Sequence, residues 1–182
     1  MPLGESRLRS ERIRTPGDLL LDDPEASHAY AWLYRYQPAT VEDYVETVDV
    51  NERQARLAAN RLEAHGLVEW TDAGYGVEAI HESVEGVHVT PGVAAVLAVQ
   101  LENYAARGFV QRYGTRTLAE AVACWPLIED GTIDSGRVGE ILGIHEQSGI
   151  AATNFVRAVR DYLELDPHLD GIPTPDVGPA FP

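Results

Sequence analysis

The sequence predicts a mainly α-helical protein with a small β-hairpin, and two observations predict it. Capping residues stand ahead of apolar runs spaced three and four apart: Asp23 before Pro24, Thr40, and Thr90 before Pro91. One stretch, Leu67-Val68-Glu69-Trp70-Thr71, alternates as a strand does, and Asp72-Ala73-Gly74-Tyr75-Gly76 after it is turn chemistry.

Composition sets the bounds. The 182 residues are 45% hydrophobic, which argues against general disorder and suits one large domain or two small ones. The single cysteine, Cys124, excludes an internal disulfide framework and any multi-cysteine zinc site. No apolar run approaches the ~18–20 residues of a membrane helix. The Arg-rich start has no apolar segment of the secretory kind, so a cytoplasmic protein without a membrane partner is expected. All 14 basic residues are Arg, against 29 acids, for a formal charge of −15. Acid excess without Lys resembles the cytosolic proteins of salt-in halophilic archaea. At molar salt the Debye length is only ~3 Å, so repulsion among surface carboxylates is largely screened. An acidic protein from an Arg- and Ala-rich actinobacterial background is the alternative.

Four pieces follow along the chain. Residues 1–16 read as a flexible arm with Arg7, Arg9, Arg12 and Arg14 against Glu5 and Glu11, the one piece with net positive charge. In residues 17–89, a helix starts at Asp23-Pro24, carries Ala29, Leu33 and Tyr36, and stops before Pro38. A second starts at Thr40, with Asp43 as a capping-box acid and Val41, Tyr44, Val45 and Val48 as its stripe. Asp49-Val50 turns into a third helix over 51–65, with Ala55, Ala58, Ala59 and Leu62 on one face and Gly66 closing it. The strand at 67–71, the turn at 72–76 and a return strand at 77–80 complete the order helix, helix, turn, helix, hairpin of a winged helix-turn-helix domain.

The run Leu62-Glu63-Ala64-His65-Gly66-Leu67-Val68, with the helix from Asn51 before it, resembles the recognition helix and wing of winged-helix transcriptional regulators of the arsenic-repressor and multiple-antibiotic-resistance-repressor types. The resemblance covers about residues 24–82. Val45 departs from it, standing where a small residue is usual. The resemblance implies that the third helix enters the DNA major groove. On that helix Asn51, Arg53, Gln54, Arg56 and Asn60 point away from the apolar stripe. Arg reads guanine O6 and N7, and Asn and Gln read adenine N6 and N7, so this face suits base reading. The competing account is an exposed face rich in Arg and Gln because both form helix well. Tyr75 falls at the expected wing tip, a phosphate or minor-groove position in the resembled families, and Trp70 is expected to pack on the first helix.

Residues 90–165 read as a helical domain. Its first helix, over 91–107, is apolar nearly all round from Val93 to Leu101, the mark of a buried helix. Burial between subunits gives a homodimer through that helix; burial in a following bundle is the alternative. Thr117 to Trp125 reads as helix stopped by Pro126. A short helix from Ser135, a Leu142-Gly143-Ile144 turn and a long helix from Glu146 form a possible second helix-turn-helix. Setting Val138 on Tyr44 places Ile144 on Val50 and Gly149 on Ala55. A structural bundle and a second DNA reader both fit. Residues 166–182, with five prolines, read as a disordered tail.

Enzyme chemistry finds no pattern. There is no phosphate loop, dinucleotide fingerprint or Gly-x-Ser-x-Gly elbow, and no catalytic residue, metal or cofactor is assigned. His81, Glu82, Glu85 and His88 match no metal spacing and read as a solvated linker. The expectation is a DNA-binding transcriptional regulator acting on double-stranded DNA. A winged-helix module that docks a protein, and a plasmid- or replication-associated DNA binder, are the alternatives.

Overall fold

A computed structural model describes residues 15–178. The Arg residues of the expected N-terminal arm lie outside them. Thr15 and Pro16, assigned to the arm, instead open α1 (Pro16–Asp22), closed by a reciprocal capping box between Thr15 and Asp18. Leu19, Leu20 and Leu21 are all buried in succession, so the helix carries no three- and four-residue apolar spacing to betray it. Gly17 lets it lie against the chain near residue 82: its N–H donates to Glu82 Oε2 at 2.8 Å, and a Cβ there would sit 2.6 Å from Val84.

The next three helices follow their caps. Asp23 accepts from the Glu25 and Ala26 N–H groups at the start of α2 (Pro24–Tyr36). Thr40 and Asp43 form the expected box on α3 (Val41–Val48). Asp49 takes the left-handed conformation, φ 55°, and Asn51 caps α4 (Glu52–Ala64). A two-stranded antiparallel hairpin follows, β1 (Val68–Thr71) and β2 (Gly74–Val77), with Trp70 opposite Tyr75. The reversal is Asp72-Ala73 alone, tighter than the five-residue turn read from sequence. Ala39 bridges to Tyr75, tying the start of α3 to the hairpin.

Residues expected as a solvated linker form a second hairpin, β3 (Glu82–Val84) and β4 (Val87–Val89). Val84, Val87 and Val89 are buried beneath polar neighbours. The central helix α5 (Pro91–Glu102) then runs through the middle of the molecule, with Val93, Ala94, Val96 and Leu97 fully buried. It packs on α2 and is covered by α1, β4 and the helices after it. Val93 to Ala98 are thus buried inside the chain, the alternative to the subunit interface expected over 91–107, while Tyr104 in that range is exposed. The helix also stops earlier. Asn103 caps a new one, α6 (Tyr104–Tyr113), its side chain accepting from the Ala106 N–H at 3.1 Å.

The chain continues as α7 (Thr115–Glu120), a 3₁₀ turn (Ala121–Cys124) and α8 (Trp125–Glu129). Pro126 occupies the first turn of α8, so it starts a helix rather than stopping one. Then come α9 (Arg137–Ile141), α10 (Glu146–Ala158) and α11 (Arg160–Leu163).

The expected disordered tail is corrected for its described part, residues 166–178. Asp166 is buried and accepts from the Gly92 N–H at 2.8 Å, closing the first turn of α5. Ile172 is buried, and the Val177 carbonyl accepts from Arg137 at 3.1 Å. One apolar core joins α1–α7, both hairpins, α10, α11 and Ile172. A small satellite around Cys124, Ile133 and Val138 sits beside it. The core is therefore continuous across residue 90.

Candidate nucleic-acid interface

The helix pair α3–α4 is held by an inner stripe. Tyr44 of α3 and Ala55, Ala58, Ala59 and Leu62 of α4 are all buried, and Tyr44 packs on Trp32 of α2. The small Ala side chains bring α4 close to α2 and α3, and the left-handed Asp49 makes the reversal between the pair. The outer face of α4 is left to solvent, with Arg53, Gln54, Arg56, Leu57 and Asn60 all exposed.

The predicted site residues are not equivalent. Asn51 spends its side-chain oxygen on capping, accepting from the Gln54 N–H at 3.2 Å. The Gln54 side-chain amide donates to Glu25 at 3.4 Å, on the α2 side of the helix. Arg56 is held between two carboxylates: Nη2 lies 2.9 Å from Glu52 and also pairs with Glu42. These bonds, Glu52 first, raise the Arg56 pKa further. The Glu42 carboxyl is held below its usual range, by its own backbone N–H first and Arg56 second. Arg53 has no ion-pair partner among the described residues. With Arg56, Leu57, Asn60 and Glu52 it lines one open groove along the helix.

Tyr75 is a correction. It lies inside β2, 8% exposed, and so cannot stand at the tip of the hairpin. Gly74 sets the register: its φ of 123° and the 2.8 Å between a built Cβ and the Ala39 carbonyl admit glycine there, and the strand begins at it. Trp70 is the converse correction. It is 54% exposed and packs edge-to-face on Tyr75, with ring centroids 5.0 Å apart, not on α2. The strand projects past the edge of the core, so alternation ceases to mean burial after Val68.

Two exposed residues escaped the sequence reading. Leu57 is 46% exposed, and Trp70 stands out on the hairpin. The signal for Leu57 was present: it is an apolar residue outside the Ala55-Ala58-Ala59-Leu62 stripe. Arg61 lies off this groove, with Nη1 2.5 Å from the Asp23 carboxylate that caps α2.

The second helix pair repeats the first closely. The helices α4 and α10 are each 13 residues long, and each follows a left-handed residue three positions before its start, Asp49 (φ 55°) and Gly143 (φ 66°). Each is capped by a side chain in extended conformation, Asn51 and His145. At the crossing, a Cβ on Gly149 would lie 2.1 Å from the Gly139 nitrogen, so α9 and α10 touch backbone to backbone. The outer face of α10 differs in chemistry. Gln147, Asn154 and Arg157 are exposed, Ile150 and Ala151 are half-buried, and Ser148 is engaged by the Tyr113 hydroxyl at 2.9 Å. Arg157 donates to Asn154 at 3.1 Å.

No protein-family model matches the chain, and comparison with curated proteins and with solved structures gives no match.

Proposed function

We propose that the protein is a DNA-binding transcriptional regulator of the winged-helix type, with α4 entering the major groove and the β1–β2 hairpin as its wing. The observation that carries this reading is the open face of α4. Among the described residues Arg53 has no ion-pair partner, Asn60 and Leu57 are exposed beside it, and Trp70 is exposed on the hairpin that follows the helix. Arg53 and Asn60 supply base-edge hydrogen bonds, and Leu57 an apolar contact of the kind made with the thymine methyl. Arg56, already bound to Glu42 and Glu52, acts as a hinge between α3 and α4 more than as a reader.

The acids at this face, Glu42 and Glu52, oppose phosphate at low salt. In the molar salt to which the composition is suited that opposition is screened, and attraction by counterion release fades too. Affinity then rests on hydrogen bonds, shape and apolar contact. A homodimer through the helix from Pro91 is no part of this reading, because α5 is used inside the chain. The exposed Leu57 and Trp70, flanked by acids, favour a second reading in which the same face docks a protein partner.

The test is selection of duplexes from a random library by the full chain at molar KCl. Enrichment of one motif, lost in Arg53→Ala, supports the reading. A library that stays random contradicts it and leaves the protein-docking reading.

A further inference from the structure

We infer that α10 is a second reading surface for duplex DNA, separate from α4 and selective for A·T pairs. The inference rests on the DNA reading of α4 for its class of ligand, and extends it to the helix pair which that reading leaves unused.

The ground is a repeat of the helix pair, position by position. With Gly149 set on Ala55, Asp134 falls on Thr40. Each accepts from the N–H three residues on, at the start of its pair's first helix: Arg137 at 3.1 Å and Asp43 at 3.1 Å. Gly143 falls on Asp49, both left-handed, and His145 on Asn51, both capping. The buried Ala55, Ala58, Ala59 and Leu62 of α4 meet Gly149, Ala152, Thr153 and Val156 of α10, all buried. The outer positions coincide too: Gln147 falls on Arg53 and Asn154 on Asn60, all four exposed. Packing requires the inner set to recur and makes no demand on the outer one, where an Asn is repeated and an amide stands for the guanidinium.

The outer face selects the base pair. Asn and Gln match adenine N6 and N7, and the half-buried Ala151 between Gln147 and Asn154 offers a methyl to the thymine methyl. Arg157 donates to Asn154 Oδ1 at 3.1 Å, which takes one lone pair and leaves the other, with both amide N–H donors, for a base. The half-buried Ile150 stands where α4 has Arg56, and Phe155, where α4 has Arg61, is covered by Phe109 of α6. The guanine-reading side chain is therefore missing from the middle turns of α10. Glu146 and Arg157 are its one acid and one base, so this helix is neutral in a chain of charge −15.

The experiment selects duplexes from a random library at molar KCl with the full chain as wild type, Arg53→Ala and the double variant Gln147→Ala/Asn154→Ala. Wild type is expected to enrich an A·T-rich element besides the one that depends on Arg53. The double variant should lose only the A·T-rich element and bind a duplex carrying it about tenfold more weakly or worse. Both replaced side chains are exposed, so its melting midpoint should match wild type. An A·T-rich element that depends on Gln147 and Asn154, with none that depends on Arg53, supports this inference and contradicts the reading of α4. An Arg53-dependent element alone, unchanged in the double variant, overturns this inference and leaves the reading of α4 standing. So does an A·T-rich element that persists in the folded double variant. A library that stays random overturns both. Should the double variant fail to fold, Gln147→Glu, which keeps the side-chain shape, decides: an unchanged A·T-rich element overturns the inference.

Discussion

Gly149→Ala is the sharpest perturbation of the second helix pair. The added Cβ would lie 2.1 Å from the Gly139 nitrogen and 2.5 Å from its Cα, where ordinary contact begins near 3.4 Å. Both partners are backbone, so no side chain can swing aside. The helices α9 and α10 must part by about 1 Å, loosening the fully buried Val138 and Ala152. Overpacking of this kind costs ~1–3 kcal/mol, and a clash against backbone belongs at the upper end. The better helix propensity of Ala returns about 0.5–1 kcal/mol. Gly108→Ala in α6 isolates that return, because nothing lies within 4 Å of a Cβ there. The two variants should therefore differ by roughly 2–3 kcal/mol, with Gly108→Ala above wild type and Gly149→Ala below it. At ~2–4 °C per kcal/mol for a chain of this size, thermal midpoints should separate by roughly 4–12 °C. The assay is circular dichroism melting of both variants and wild type in the same molar KCl buffer. Coincident midpoints would refute the backbone-to-backbone crossing.

Further predictions concern the joints of the fold. Asp166→Ala removes the carboxylate that receives the Gly92 N–H, and should lower stability by about 1–2 kcal/mol in the same melting assay. Trp32 and Trp125 are buried and Trp70 is not, so Trp70→Phe should remove most of the acrylamide-quenchable tryptophan fluorescence while leaving the melting midpoint nearly unchanged. Burial holds the His28 pKa below its ordinary 6.5 although Glu102, 3.4 Å away, pulls it upward. Below about pH 6.5 the unfolded chain therefore takes up a proton that the folded chain resists, so stability should fall as pH drops from 7 toward 5. His28→Asn should flatten that part of the stability–pH curve; an unchanged slope would remove His28 as its cause.

Local chemistry made much of the first helix pair legible. Asp23-Pro24, Thr40 with Asp43, and Thr90-Pro91 cap the helices they precede, because a capping bond is made within a few residues and needs no distant partner. The match of Val138 to Tyr44, Ile144 to Val50 and Gly149 to Ala55 likewise held in the placement of α9 and α10. What sequence concealed was decided at long range. The three leucines of α1 are buried in succession, so no three- and four-residue spacing marks the helix. The buried valines of β3 and β4 alternate with Glu, Ser and His, and three-residue strands leave too short a pattern to separate from a linker. The C-terminal stretch looked unanchored because its anchor is one buried carboxylate reaching residue 92, 74 positions away. At the candidate site the outer face of α4 was readable, but its pairing only in part. Arg56 pairs with Glu52 four residues before it, a spacing visible in sequence, and with Glu42 on the neighbouring helix, which only the fold brings near; Arg53 is left without an ion-pair partner among the described residues. Tyr75 and Trp70 exchanged their expected exposures because the turn between their strands is two residues long rather than five.

The central claim is that the open face of α4 reads DNA. The most direct measurement is fluorescence anisotropy at molar KCl on the duplex enriched by wild type, comparing wild type with Arg53→Ala, Asn60→Ala and Arg56→Ala. The account predicts a loss of ~1–3 kcal/mol in specific affinity for Arg53→Ala and for Asn60→Ala, with relaxed preference at the base each one reads. A smaller loss is predicted for Arg56→Ala, whose guanidinium is already committed to Glu42 and Glu52. Unchanged affinity in Arg53→Ala and Asn60→Ala, with melting midpoints equal to wild type, would contradict it.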